Sequence, residues 1–187
     1  VGQGALETSL SSVSMNNASI MAPQASSVGS IAGDIRTSTV ISAAAANNVK
    51  IEAQQTVGGI VGAAMMSTVE NANVTAANIT ADNTVGGIMG NNNSSKVDKN
   101  IFDGTITVKQ ANWDGLAAAG IIGSLDPDWS GSTNVIVSNN IAKGKVCLAE
   151  GTESDETIHR IVGRTIANEV DCDMKEMRLA NNYAVNG

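Results

Sequence analysis

The sequence predicts an all-β chain wound as a β-solenoid of about six coils, with a repeat near 28 residues. Three observations carry that prediction. A glycine-rich hexapeptide returns at a near-constant spacing. A valine follows it at a fixed distance. An aliphatic residue then sits late in each unit, inside a segment of alternating polar and apolar residues. Self-similarity at such a period is what stacked coils write into a sequence.

The hexapeptides are VGQGAL at Val1, VGSIAG at Val28, VGGIVG at Val57, VGGIMG at Val85, AAGIIG at Ala118 and IHRIVG at Ile158. Their steps are 27, 29, 28, 33 and 40 residues, so insertions enlarge the later coils. The valines are Val13, Val40, Val69, Val97, Val135 and Val170. All but the fifth lie 12 residues after a hexapeptide start, and the fifth follows the inserted SLDPDWSGS. The third marker is Ile20, Ile51, Ile79, Ile106 and Val146. Lys50 and Glu52 flank Ile51, Asn78 and Thr80 flank Ile79, Thr105 and Thr107 flank Ile106, and Lys145 and Cys147 flank Val146. The next inward positions are Ala53, Ala81, Val108 and Leu148. This is the period-two pattern of a half-buried strand. Three short strands and their turns are expected to fill one coil, and six coils at about 4.8 Å each make a stack roughly 29 Å long.

Within that frame Gly58, Gly59 and Gly62, with Gly86, Gly87 and Gly90, are expected at tight corners where backbones approach closely. A phosphate-cradling loop would need GxGxxG or GxxxxGK before a helix, and neither occurs. SAAAANNV (42–49) has helical propensity, but a helix there would break the register of the markers. Pro23 and Pro127 both fall between markers, in expected turns.

Composition narrows the function classes. One domain of 187 residues is long enough to bury a core. Aromatics are only 2% of the chain, so Ala, Val, Ile and Met must fill it. A net charge of −7 with no basic stripe argues against a nucleic-acid partner and against an anionic membrane surface. No apolar run approaches a bilayer span, so no membrane insertion by this segment is expected. No signal peptide opens the chain, which reads as a processed chain or a piece of something longer. Cys147 and Cys172 cannot build a zinc site by themselves. Cys147 is expected to face outward and Cys172 inward, which weighs against a disulfide between them.

The units VGGIVG with VENANVTAANIT, and VGGIMG with VDKNIFDGTIT, resemble the bacterial GLUG repeat. HRIVGR near Ile161 and NNYAV at Asn181 are similar to a terminal repeat of that type. The resemblance covers essentially the whole chain, firmly in its middle units. It implies a repeat module of a large secreted or cell-surface protein, adhesin-like in character and attached to further domains. It carries over no catalytic residues.

Residues of possible chemical use are few. His159 is the only histidine, lies inside a hexapeptide copy and has no GxSxG beside it, so an outward strand or corner role is expected. Glu70 and Asp98 follow Val69 and Val97 and should lie one strand spacing apart, with Ile41 as the equivalent residue in the preceding coil. Such a pair can share a proton and serve a polysaccharide-cleaving enzyme. With Lys96 and Lys99 alongside, a solvated charged patch is the stronger expectation. Asp126, Asp128 and Gly131 are similar to part of a calcium loop, but its later glutamate and full spacing are missing, and oxygen ligands would have to come from the adjacent acidic insertion EGTESDE (150–156). No metal or cofactor is therefore expected. The Thr105–Thr107 pair lacks the repeated flat array that an ice-binding face needs.

Trp113 and Trp129 lie outside the repeated strands, on either side of the hexapeptide at Ala118. Their turns would stand roughly 20 Å apart, so each offers a separate face for a sugar or a protein anchor. Trp129, Asp126, Asp128 and Trp113 are thus the candidate ligand-binding residues, and a host glycan or protein is the expected partner. The expected function is a non-enzymatic, extracellular or cell-surface module, adhesive or a rigid spacer. A polysaccharide-degrading or polysaccharide-binding β-helix is the alternative.

Overall fold

A computed structural model describes residues 8–109, 117–126, 135–149, 158–165 and 178–185. Among these residues every regular element is a strand. The chain begins with β1 (Ser9–Ser11), β2 (Ser14–Asn16) and β3 (Ser19–Ala22). One full turn follows through β4 (Ser27–Gly29), β5 (Ala32–Arg36), β6 (Val40–Ser42), β7 (Ala45–Asn47) and β8 (Lys50–Ala53). The next runs through β9 (Thr56–Gly58), β10 (Val61–Met65), β11 (Thr68–Glu70) and β12 (Asn73–Ala81). A third comprises β13 (Thr84–Gly86), β14 (Met89–Asn93), β15 (Lys96–Asp98) and β16 (Ile101–Val108). The fourth comprises β17 (Ala117–Ala119), β18 (Ile122–Asp126), β19 (Ile136–Ser138), β20 (Ile141–Ala142) and β21 (Lys145–Leu148). Then come β22 (Ile158–His159), β23 (Val162–Thr165), β24 (Arg178–Ala180) and β25 (Tyr183–Ala184).

Every strand pairs in parallel with its counterpart in the turn before or after, giving four stacked sheets, one on each side of the coil. The first side is β4-β9-β13-β17-β22 and the second is β5-β10-β14-β18-β23. The third is β1-β6-β11-β15-β19-β24, and the fourth joins the β2 and β3 rungs to those of β7, β8, β12, β16, β20, β21 and β25. This is a β-solenoid. The expectation of six coils counts the partial ends as whole: four turns are complete, with partial turns below and above them. A coil also has four sides rather than three strands. The fourth side bends at Asn17, Asn48 and Ala76, all in the left-handed region of φ. SAAAANNV is extended, its centre forming β7.

Two of the three sequence markers name true columns. Val28, Val57, Val85, Ala118 and Ile158 lie in register along the first side. Ile20, Ile51, Ile79, Ile106 and Val146 do so along the fourth. Ile51, Ile79 and Ile106 are buried, each at most 1% exposed.

The valine marker is corrected. The inward column of the third side is Leu10, Ile41, Val69, Val97, Val137 and Leu179. Between β5 and β6 the corner holds Thr37, Ser38 and Thr39, whereas the equivalent corner before β11 holds only Met66 and Ser67. That one extra residue moves the column from Val40 to Ile41. The insertion in the fourth turn likewise moves it from Val135 to Val137. Val170 lies outside the described residues. Val13 belongs to the next corner, just before β2.

The hexapeptide glycines occupy a corner where two sheets converge until backbone meets backbone. A Cβ on Gly62 would stand 2.5 Å from the Gly33 oxygen of the turn below and 2.5 Å from the Val28 nitrogen. One turn on, a Cβ on Gly90 would stand 2.6 Å from the Gly62 oxygen and 2.8 Å from the Val57 nitrogen. Neither neighbour is a side chain that can move aside. Elsewhere small residues make room for the only phenylalanine. Phe102 is fully buried in register with Val74 and Ala142, and the backbones of Gly87, Gly104 and Gly144 close around its ring.

The corner between the third and fourth sides holds the most ordered polar feature. Ser12, Ala43, Asn71, Lys99, Asn139 and Asn181 stand in one column there, all at φ between 51° and 58°. The following residue in the last three turns is Asn100, Asn140 and Asn182. Asn100 Nδ2 donates to Asn140 Oδ1 at 2.9 Å, and Asn140 Nδ2 donates to Asn182 Oδ1 at 2.9 Å. The same amides donate to the Val69, Val97 and Val137 carbonyls at 3.1, 3.0 and 2.8 Å. Their oxygens also accept from the backbone N–H one turn below: Ala72 to Asn100, Asn100 to Asn140, and Asn140 to Asn182. Each buried asparagine is thereby satisfied on donor and acceptor atoms alike.

Candidate functional site

Outward-facing residues of the third side form a compact charged cluster in which one lysine engages two carboxylates. β11 and β15 place Glu70 directly beside Asp98, as their common position after a buried valine dictates. Ser42, not Ile41, precedes them in that column, a consequence of the same one-residue corner shift. Lys96 Nζ reaches Glu70 Oε2 at 2.8 Å and Asp98 Oδ2 at 3.5 Å. Ser138 Oγ and Asn139 Nδ2 each donate to Asp98 Oδ1 at 2.8 Å. Asp98 is only 6% exposed.

Burial pushes the Asp98 carboxyl up. The hydrogen bonds from Asn139 and Ser138, with the charges of Lys96 and Lys99, outweigh it and hold the carboxyl below its ordinary value. The hydrogen bond to Glu70 leads in raising Lys96. Two neutral donors and the nearby lysine charges favour the charged form of Asp98 over the protonated one. Asp98 therefore stabilises the fold above the ordinary carboxylate range, and that contribution disappears as the pH falls through its depressed value. Asp98→Asn is expected to lower the urea midpoint at pH 7, with the gap closing in acid. A gap that persists unchanged at pH 2 would contradict this.

The structure places the remaining candidates apart from this cluster. Asp126 ends β18 on the second side, in register with Asn93, whose Oδ1 is buried without a hydrogen-bond partner. Asp128, Trp129, Trp113, Gly131, Cys172, Pro127 and the acidic stretch 150–156 lie outside the described residues. His159 sits in β22, opposite Ala119. Cys147 is an exposed free thiol, facing outward as its alternating pattern requires. Thr105 and Thr107 do stand beside Asn78 and Thr80, but Lys50 and Glu52 flank them on one side and Lys145 on the other. Lys109 bonds Glu52 at 2.5 Å, tying two turns across that face.

No group of three or more His, Cys, Asp or Glu side chains among the described residues is arranged to hold a metal ion. No helix among the described residues is long and apolar enough to cross a membrane. The feature that sequence reading missed is the asparagine ladder. Its signal was present: the segments NIFDGTIT, NIAKGKVC and NNYAVNG align with asparagine at one corner position, which a search for apolar columns passes over. Comparison with family models, with curated proteins and with solved structures finds no match in any of the three. The likeness to GLUG repeats therefore stands on the residues quoted above.

Proposed function

We propose that this chain is a non-enzymatic module of a bacterial secreted or cell-surface protein, of the GLUG-repeat kind, acting as an adhesive surface or a rigid spacer. What supports the reading above all is the continuity of the stack. Six rungs of the third side run in register, about 24 Å from first to last, over a core that is closed in its central turns. Such a stack presents continuous sheet faces from turn to turn, the kind of extended surface that repeat modules use for binding. The polysaccharide-cleaving alternative loses support because Lys96 already engages both of its acids.

Local specificity would come from the inserted segments carrying Trp113, Asp126, Asp128 and Trp129, with a glycan or a protein as ligand. The test is binding of the purified chain to host glycans and matrix proteins, beside Trp113→Ala and Trp129→Ala. Saturable binding lost on removing Trp129 is the adhesive outcome. A folded chain that binds nothing on the panel is the spacer outcome. Turnover of a polysaccharide, abolished by Glu70→Gln, would overturn both.

A further inference from the structure

The last turn presents a coil-shaped surface to which interior turns already show the fitting partner. Leu179 belongs to the column of Ile41, Val69, Val97 and Val137. Those four are fully buried, yet Leu179 is 54% exposed. Ile161 and Val162 are half-buried, while Ile121 and Ile122, their equivalents one turn below, are fully buried. With Arg160, Gly163, Asn181 and Asn182, these three residues line an open concavity of about 700 Å³. The ladder gives this surface a chemical preference. The Asn100 and Asn140 N–H groups each donate to the side-chain oxygen of the next asparagine. Asn182 repeats their position, and among the described residues nothing accepts from its N–H.

We propose that this end is a docking surface for one further β-coil that runs parallel to β24 and β25 and carries asparagine at its corner. The surface continues an established interface, the one joining each turn to the next. Its occupant must bring apolar residues to cover Leu179, Ile161 and Val162, and a side-chain oxygen to accept from Asn182. A second copy of this chain is the poorer occupant. Among the described residues its first coil ends the third and fourth sheets with the right polarity, but Val13 stands at the corner position and offers no acceptor.

Amide hydrogen exchange on the full chain is the first arm of the test. The Asn182 N–H is expected to exchange at least tenfold faster than that of Asn140, at a rate independent of protein concentration. Equal protection would show the end already covered, and slowing with concentration would show self-stacking. Either overturns the proposal. The second arm continues the chain from Ala184 with a copy of its own residues 103–142. That graft keeps register, because Phe102, Ala142 and Ala184 are equivalent. The graft is expected to slow Asn182 exchange at least tenfold, and Asn140→Val made in the copy alone is expected to abolish most of the slowing. Identical protection from both grafts would overturn the asparagine requirement.

Discussion

Asn140→Ala is expected to destabilise the chain by about 3 kcal/mol, because it strands several buried groups at once. The substitution removes donors to the Val97 carbonyl and to Asn182, and removes the acceptor of both the Asn100 N–H and the Asn100 amide. Asn100 is fully buried, so its orphaned groups have no water to turn to. The effect should show in chemical denaturation. The first turns provide an internal contrast, since Ala44 and Ala72 stand at the same corner position without a ladder. Ala72→Asn is correspondingly expected to raise stability by about 1 kcal/mol, extending the ladder downward by one rung. A neutral Asn140→Ala would mean that the ladder follows the coil rather than fixing it.

Gly90→Ala is expected to cost about 3 kcal/mol or more, because the added methyl meets backbone that cannot move aside. The added carbon would meet the Gly62 oxygen and the Val57 nitrogen, both backbone atoms of the turn below. Relief requires the first and second sides to separate, which opens the core around Val57, Val61 and Met89. Asp103→Ala, on the outward face of the fourth side, is the matching control and should be close to neutral. If Gly90→Ala were equally mild, the convergence of the two sides would be looser than the structure shows.

Much of the architecture was legible because a solenoid repeats its constraints. The glycines recur where backbones touch, and Ile51, Ile79 and Ile106 recur where side chains stack, so each turn restates the last. The coil count was less legible because the partial turns at the ends carry the same markers as whole ones, and the valine column for another reason. A corner can absorb an extra residue, as at Thr37–Thr39, without changing the column above or below it, and a fixed sequence offset then names the wrong residue. Glu70 and Asp98 were placed side by side correctly because their corners have equal length. Lys96 was expected beside them, but the neutral partners of Asp98 were not foreseen, since Ser138 and Asn139 reach it from a turn enlarged by an insertion after Asp126. The asparagine ladder escaped because its members are polar residues in buried positions, satisfied only by one another across turns.

The central claim is that successive turns lie directly upon one another in parallel register, and engineered disulfides test it most directly. In a background with Cys147→Ser and Cys172→Ser, Thr80→Cys combined with Thr107→Cys joins two residues that the structure places opposite each other. Thr80→Cys with Thr105→Cys sets the pair two residues out of register, about 8 Å apart and beyond easy disulfide reach. The account predicts rapid cross-linking of the first pair under mild oxidation, with native stability retained, and little from the second. Preferential cross-linking of the second pair, or none of the first in a folded protein, would contradict it.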